Sequence, residues 1–424
     1  MEPRWEGGAG AVDLSDFEFW ARPLPEREGA FAALRADRPM PFYAEPELDM
    51  LPSGPGYFAL TRYADILEAS RAPEVFCSSQ GATSIADMPA EFLEFFGSMI
   101  NMDNPVHARL RRIVARGFTP RMLARLEEGV QAAAGQIVDD VIDRGSCDFV
   151  TEVAARLPLK IICDMMGIPE SDYKFVFDRS NIILGMGDPE YVPEGTDVIS
   201  AVLGAGNELA QLVQELGRHR SQNPTEDLTS ALVNAEIDGE RLTDNELGSF
   251  FILLVVAGNE TTRNAISHGM KALSDHPDQR RTWATDFEAL APAAVEEIVR
   301  WATPVIFMRR TVVTDTVLSG QELPAGSKVL LFYNSANRDE AVFKDPFSFN
   351  IRRDPNPHVG FGGPGPHFCL GAHLARREIT VMFRELFRRV PDIEASSPPD
   401  RLLSNFINGI KHLEVEFAPG GQAA

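Results

Sequence analysis

The stretch that decides the fold of this chain is Phe361-Gly362-Gly363-Pro364-Gly365-Pro366-His367-Phe368-Cys369-Leu370-Gly371. It sets one cysteine between a loop rich in glycine and proline and a helix that the apolar spacing predicts from Leu370 to Arg389. Glycine lets backbone approach a flat ligand closely, and a helix N-terminus offers amide groups and a positive dipole to a sulfur anion. Both features favour the thiolate form of Cys369.

The loop alone leaves several interpretations of Cys369 open. The plainest is a buried thiol beside a turn. A nucleophilic cysteine needs a base, and three histidines lie nearby in the sequence, namely His358, His367 and His373. A phosphate-binding loop is the weakest interpretation, because the run lacks the GxxxxGKS or GxxxxGKT pattern. The choice among them depends on the other motifs of the chain.

The longest predicted helix runs from Asp244 to Ser274. It begins with a capping box, because Thr243 and Glu246 can satisfy each other's free backbone amides. No polar residue interrupts it from Phe250 to Ala257, yet this apolar run is far shorter than the roughly 20 residues needed to span a bilayer. The pattern predicts a helix buried on all sides in a large protein.

Polar residues follow this apolar run abruptly, at Asn259, Glu260 and Thr261. Burying an acid is costly unless the protein uses it, so the cluster is a candidate functional site. A helix that emerges into solvent explains the same residues, since Arg263 and His268 follow.

Two charged motifs lie on either side of this helix in the sequence. Glu297 and Arg300 have the i,i+3 spacing that puts both side chains on one helical face. His107 and Arg111 likewise share one face of a helix. The opposite face carries Arg109, Arg112 and Arg116. Taken singly, each motif fits a solvated charged surface as well as a functional site.

The apolar spacing predicts a mostly helical chain, with helices at 122–144, 172–184, 198–218, 244–274, 288–300 and 370–389. Short β segments are predicted at 57–61, 310–318 and 328–333. A C-terminal hairpin is predicted as well, in which 402–407 and 411–417 flank Asn408-Gly409, a pair suited to a tight turn.

Together these motifs resemble the cytochrome P450 superfamily of haem-thiolate monooxygenases, in the family's order and over about 17–417. In the cysteine loop Gly365, His367, Cys369 and Gly371 fit the family pattern. Phe361 stands one position further from the cysteine than is usual, which indicates a loop longer by one residue. The resemblance implies a mainly α fold with small β-sheets, one large triangular domain over 1–424, an irregular arm to about 16 and a tail from about 418.

The resemblance also implies haem b as cofactor, with Cys369 as the thiolate ligand of the iron. It implies catalytic roles for Glu260 and Thr261 as a proton relay. The cofactor-binding residues that it implies are His107, Arg111, Gly258, Arg310, His367, Cys369 and Gly371. Among these, Gly258 is expected to leave room for dioxygen, and His107, Arg111, Arg310 and His367 to bind a propionate.

In the family the pair matching Glu297 and Arg300 is structural and is joined by a later arginine. This chain has Ser348 where that arginine is expected, within Pro346-Phe347-Ser348-Phe349. The third partner of the pair is therefore open, and three residues are candidates: Arg338, Arg352 and Arg353.

Within the family, the chain is most similar to bacterial terminal hydroxylases of methyl-branched lipids. Asn259, the run Gly360-Phe361-Gly362-Gly363 and the run Phe406-Ile407-Asn408-Gly409 carry this similarity. It implies ω-hydroxylation of a branched fatty acid or isoprenoid, with a sterol side-chain hydroxylase as the alternative and a non-catalytic haem sensor or carrier, or a peroxide-driven enzyme, as less favoured classes. The expected pocket residues are Phe92, Met99, Ile183, Val256, Val305, Phe307, Phe406 and Ile407. An apolar pocket favours long hydrocarbons.

Composition and charge bear on partners and location. The net charge of −22 over 424 residues repels polyanions, so nucleic acid is not an expected partner. Charged residues at the N-terminus predict no signal peptide or membrane anchor, and hence a cytoplasmic protein. The four widely spaced cysteines, Cys77, Cys147, Cys163 and Cys369, argue against a disulfide framework.

We also expect a monomer that receives electrons from a ferredoxin and its ferredoxin reductase. The resemblance places a cationic patch on the thiolate side of the haem, made of Arg109, Arg112, Arg116, Arg376 and Arg377. Such a patch would attract an acidic ferredoxin against an otherwise acidic surface. A solvated charged face is the alternative interpretation.

Overall fold

The computed structural model describes residues 2–46, 52–117, 120–185, 188–192, 195, 197–236, 239 and 241–421. Its helices are α1 (Phe17–Ala21), α2 (Leu24–Asp37), α3 (Tyr63–Arg71), α4 (Ala90–Gly97), α5 (Val106–Gly117), α6 (Pro120–Asp139), α7 (Arg156–Met166), α8 (Tyr173–Leu184), α9 (Val198–Gln222), α10 (Leu228–Asn234), α11 (Asp244–Asp275), α12 (Pro277–Thr285), α13 (Phe287–Ala302), α14 (Tyr333–Ala336) and α15 (Ala372–Arg389).

The strands are short, as the sequence predicts. They are β1 (Phe42–Tyr43), β2 (Tyr57–Leu60), β3 (Phe76–Cys77), β4 (Ser146–Asp148), β5 (Phe307–Val312), β6 (Thr316–Leu318), β7 (Gln321–Leu323), β8 (Lys328–Phe332), β9 (Glu394–Ala395), β10 (Asp400–Arg401), β11 (Ile410–His412) and β12 (Glu414–Glu416). The predicted mainly α fold with small sheets is confirmed.

Helix α11 lies at the centre of the largest hydrophobic core and packs against α7, α9, α13 and α15. Its capping box between Thr243 and Glu246 forms as predicted. Phe251 and Val255, in the apolar run, are fully buried. The prediction of a long helix surrounded by protein is therefore confirmed.

The largest sheet has five strands in the order β1-β2-β8-β5-β3. Strands β2 and β8 are parallel, and the other neighbours are antiparallel. The single strand predicted at 310–318 is wrong, because a turn separates β5 from β6, and β6 pairs with β7 instead.

The C-terminal hairpin differs from its prediction. Within the segment predicted to form the hairpin, β10 and β11 pair with each other. The chain between them, 402–409, forms a loop rather than a strand followed by a two-residue turn. Contacts with the segment before β5 shape this loop, since Ile306 N donates to Phe406 O at 2.8 Å and Asn408 N donates to Pro304 O at 2.9 Å. These distant hydrogen bonds replace the ladder that a tight turn would have begun.

The N-terminal arm contains a short 3-10 helix at Ala9–Ala11 and packs onto the rest of the fold. Leu14 is fully buried in a second core, together with Trp20, Phe31 and Phe332. Among the described residues, no helix has the length and apolar content needed to cross a membrane.

Candidate functional site

The cysteine loop takes its shape from two glycines with positive φ. Gly362, at the position where the family usually has an aromatic residue, has φ 86°, and Gly365 has φ 147°. A side chain at Gly365 would also come within 2.4 Å of Ser70 O in α3. The loop closes through Cys369 N, which donates to Phe361 O at 3.0 Å. The extra residue of the loop is thus accommodated at Gly362, in a conformation that favours glycine.

Cys369 is half-buried at the start of α15, and the backbone amides of Gly371 and Ala372 donate to its sulfur. Burial raises the pKa of the Cys369 thiol, and this effect outweighs the two amides and the charges of Arg111 and Arg376. The two backbone amides lower this pKa, in the direction that the sequence predicts, but by less than burial raises it. Removing the thiol from water costs more than the helix N-terminus returns.

The other three cysteines behave as buried thiols, as predicted. Cys77, Cys147 and Cys163 are buried and free. Burial raises the pKa of Cys147 and of Cys163 to about 12, so neither ionises near neutral pH.

Four predicted cationic or hydrogen-bonding residues come together beside the cysteine loop. The rings of His107, at the start of α5, and His367 lie 4.4 Å apart. Burial, then repulsion from Arg310 and His107, lowers the pKa of His367 to about 3, and Arg111 adds to the effect. Arg111 also donates from Nη2 to Phe368 O at 2.8 Å, which ties α5 to the loop.

The cluster has unused donors. The Nε2 atoms of His107 and His367 are both buried and have no hydrogen-bond partner among the described residues. Arg310 is buried in β5, and its side-chain bond from Nη1 to Arg309 O, at 2.6 Å, leaves most of its donors available. Such a concentration of buried donors fits a carboxylate-bearing group that is bound between them.

The acid and the alcohol of α11 face different surroundings. Glu260 is buried, pairs with Arg263 and accepts from Asn264 Nδ2 at 3.0 Å. Thr261 is half-buried and donates from Oγ1 to Ala257 O at 2.7 Å. Ala257 is exposed although its neighbours on α11 are buried or half-buried, so the face that Ala257 and Thr261 share borders open space.

The role expected of Gly258 needs correction. A side-chain carbon at this position would lie 2.8 Å from Ile162 Cδ1, in α7. The missing side chain therefore lets α11 pack closely against α7. The residue that faces the open space is its neighbour Ala257, because successive residues of a helix point about 100° apart.

Replacing Gly258 with valine is expected to lower the free energy of unfolding by about 1–3 kcal/mol, because the added atoms overpack the contact with Ile162. Denaturant unfolding checks this. Gly258→Ala should cost less, since alanine is the better helix former. Adding Ile162→Ala to Gly258→Val should restore part of the loss. If the double variant loses as much free energy of unfolding as the two single variants lose together, the two residues do not compete for space.

The pair of Glu297 and Arg300 on α13 is fully buried, with Nε to Oε2 at 2.7 Å and Nη2 to Oε1 at 2.8 Å. Its third partner is Arg353, whose Nε lies 3.0 Å from Glu297 Oε2. Of the other candidates, Arg352 is exposed, and Arg338 donates to the carbonyls of Arg300 and Trp301 instead. The backbone carbonyl of Ser348 accepts from both Arg300 and Arg353.

Comparison with known proteins decides the family. The family model described as cytochrome P450 matches residues 289–415. A methyl-branched lipid omega-hydroxylase of Mycobacterium tuberculosis (strain ATCC 25618 / H37Rv) is 52% identical over 413 residues, which cover 96% of this chain and 95% of the relative. The chain belongs to the cytochrome P450 family. It is a P450 monooxygenase, as the sequence predicts.

Two further comparisons agree with this assignment. A steroid C26-monooxygenase of Mycolicibacterium smegmatis is 43% identical over 87% of this chain and 85% of the relative. The solved structure of a Mycobacterium marinum cytochrome P450 in complex with pseudoionone superposes with a TM-score of 0.91, at 44% identity, over 96% of this chain and 98% of that chain.

Membership of the P450 family implies a haem-iron cofactor, and the residues present fit one. The sulfur of Cys369 is positioned by two backbone amides at the start of α15. The buried, unpaired Nε2 atoms of His107 and His367 and the guanidinium of Arg310 offer donors to acidic groups on its edge. When bound, haem would supply the iron that activates dioxygen, and Cys369 is the residue whose sulfur would hold that iron.

The expected pocket residues divide into three groups. Phe92, Val256, Val305 and Phe406 are half-buried and so available to line a cavity. Phe307 and Ile407, each 2% exposed, pack behind them, and the rings of Phe307 and Phe406 lie 5.4 Å apart. Met99 and Ile183 lie within the main core, nearly buried. The lining role of all eight residues stays a prediction, and their exposure favours it most for the four half-buried ones.

Two of the five arginines expected to form the cationic patch are paired with glutamates. Arg109 bonds Glu246 Oε1 at 2.7 Å, and Arg376 pairs with Glu296 through Nη2 at 2.9 Å. Arg112 is exposed and Arg377 half-buried, while the side chain of Arg116 lies outside the described part of the chain. The pairing of Arg109 with Glu246 was not predicted. Glu246 was recognisable as part of the capping box, but no local pattern shows that α5 contacts the start of α11.

Proposed function

We propose that this P450 binds haem b and hydroxylates the terminal carbon of a methyl-branched fatty acid or isoprenoid. The observation that carries the proposal is the apolar character of four expected pocket residues that stay half-buried. They are Phe92, Val256, Val305 and Phe406, and they come from four separate segments. An apolar site of this kind favours a hydrocarbon over a polar metabolite.

Four residues of the chain have separate parts in the proposed reaction. His107 and His367 bind acidic groups of the cofactor through ring nitrogens that lack a protein partner. Thr261, whose hydroxyl bonds Ala257 O, supplies a hydrogen-bonding group at the open face of α11. Glu260 transfers protons towards this face when it is released from Arg263 and Asn264.

The proposed substrate class draws on the relatives as well as on the lining. The relative that is 52% identical carries the name methyl-branched lipid omega-hydroxylase. A steroid C26-monooxygenase at 43% identity makes sterol side-chain hydroxylation the second candidate. Both reactions attack an end of a branched hydrocarbon.

Spectral titration of the haem-loaded protein tests the substrate class. The panel contains a methyl-branched fatty acid, the straight-chain acid of equal length, an acyclic isoprenoid and cholesterol. We expect the branched acid or the isoprenoid to bind about tenfold more tightly than the straight-chain acid, since a well-packed methyl group contributes 1–3 kcal/mol. Product analysis should then show oxygen at a terminal carbon.

Other outcomes of the titration have distinct meanings. Preferential binding of cholesterol favours the hypothesis of sterol side-chain hydroxylation. Tight binding of none of the four compounds removes the lipid proposal, and oxygen found mainly at internal carbons removes the terminal regiochemistry. The family assignment does not depend on either result.

Electron delivery by a ferredoxin with its reductase is also part of the proposal, with the protein acting as a monomer. The exposed Arg112 on α5 and the half-buried Arg377 on α15 supply cationic groups for an acidic donor. Against a net charge of −22, local positive charge steers an acidic protein to one face.

A further inference from the structure

Two arginines in the second core have no hydrogen-bond partner among the described side chains. Arg27, on α2, is 6% exposed, and its Nε is buried without a partner. Arg401, on β10, is half-buried, and its Nη1 is buried and also lacks one. Leu403, two residues after Arg401, packs against the second core, to which α2 contributes Phe31, one turn after Arg27. The charge of Arg27 accordingly lowers the pKa of Arg401, although burial lowers it more. Arginine keeps its charge in proteins, so the two groups repel each other.

The surrounding residues neutralise this positive charge only in part. Glu28 is the acid that acts on both arginines, and its buried Oε2 has no partner either. Arg35 is already paired with Glu340 at 2.8 Å. Arg338 adds a third guanidinium and brings no negative charge; its two Nη atoms donate to backbone carbonyls, and its Nε has no partner among the described residues.

His268, on α11, faces the same group of charges. Burial, then repulsion from Arg401, lowers its pKa to about 3, so the ring is neutral. Its Nε2 lies 2.9 Å from Asn408 O, in the loop between β10 and β11. The described groups at this place thus comprise three guanidinium ions, one neutral imidazole and one carboxylate. A buried charge without a counter-charge is strongly unfavourable.

We propose that Arg27 and Arg401 form a buried site that binds one carboxylate. The guanidinium fork matches the two oxygens of a carboxylate, and a bound anion would supply both the missing charge and the missing acceptors. The site joins α2 to the start of the loop 402–409, whose tip carries Phe406. An anion bound here holds that loop against the N-terminal core.

Two sources can supply the carboxylate. One is a small free acid such as formate. The other, which rests on the proposed function, is the headgroup of a fatty-acid substrate. From Arg401 to Phe406 the chain reaches at most roughly 17 Å, so a headgroup at the arginines and a hydrocarbon chain at the lining residues are compatible in length.

Thermal unfolding of the haem-loaded full chain, titrated with formate at constant ionic strength in a large sulfonate buffer, tests the site. In the wild type we expect a saturable rise in Tm, because a ligand that binds the folded state stabilises it. Arg27→Gln and Arg401→Gln should weaken the apparent formate affinity about tenfold or more. Without formate they should unfold no earlier than the wild type, since each removes repulsion.

Arg38→Gln is the matched control, because Arg38 follows α2 directly and is exposed. It should leave the formate response unchanged. A merely structural role for the two arginines predicts the opposite pattern, with a lower Tm at every formate concentration. If either variant fails to fold, bromide-soaked wild-type crystals decide, and an anomalous peak between Arg27 and Arg401 is expected.

Spectral titration with a fatty acid and with the alcohol of the same chain length distinguishes the two sources of the carboxylate. If the headgroup is the ligand, Arg27→Gln weakens binding of the acid alone, and formate competes with it. If a free acid is the ligand, acid and alcohol respond alike while the formate-dependent Tm remains. A wild type without a formate response, without a bromide peak and without an acid-specific effect overturns the site, whatever substrate the enzyme takes.

Discussion

Cys369→Ser is expected to remove the strongly red-shifted Soret band from the reduced carbonyl complex and to lower hydroxylase turnover by about a thousandfold or more. Serine keeps an atom that can accept from the amides of Gly371 and Ala372, so the loop and the start of α15 should persist. The substitution removes the sulfur, and without it the loop has no atom that can ligate the iron as a thiolate.

The absorption spectrum of the reduced carbonyl complex makes this measurement, with haem content determined separately. Cys147→Ala is the control, because Cys147 is buried and burial raises its pKa to about 12. It should leave the spectrum unchanged. A fully haem-loaded Cys369→Ser protein that keeps the red-shifted band would show that another residue ligates the iron.

Glu297→Gln is expected to lower the free energy of unfolding by about 3–5 kcal/mol. The substitution keeps the size of the side chain but leaves Arg300 and Arg353 as two buried guanidinium ions facing a neutral amide. The carboxylate also accepts from Asn350 N at 2.8 Å and from Asn356 Nδ2 at 3.3 Å, so several bonds weaken together.

Denaturant unfolding of the haem-loaded protein measures the loss. The exposed pair of Glu288 and Arg384 provides the control, and Glu288→Gln should cost less than about 1 kcal/mol. A second comparison uses adjacent residues, because Arg353→Ala should be far more destabilising than Arg352→Ala. Equal effects of the two arginine variants would contradict the role of Arg353 as the third member of the buried group.

The sequence by itself determined the parts of this protein that depend on local pattern. The spacing around Cys369 and the helical periodicity that places His107 beside Arg111 led to the family and to the residues that gather near the cysteine. The long central helix and its capping box were also readable, since Thr243 and Glu246 lie within one turn. Such patterns are local, so they can be recognised without knowing which distant segments contact each other in the folded protein.

Only the tertiary structure decided which distant groups meet. It chose Arg353 over Arg352 as the partner of Glu297, because burial separates neighbours that the sequence presents as equals. It also places Gly258 against Ile162 and leaves Ala257 exposed.

The same holds for the chemistry of the cysteine and for the C-terminal loop. Burial raises the pKa of Cys369 against the local effect of its helix, and burial is a property of the whole fold. Hydrogen bonds from Ile306 and Asn408 across to distant backbone override the turn that Asn408-Gly409 predicts. Long-range packing and desolvation are collective, so no local pattern records them.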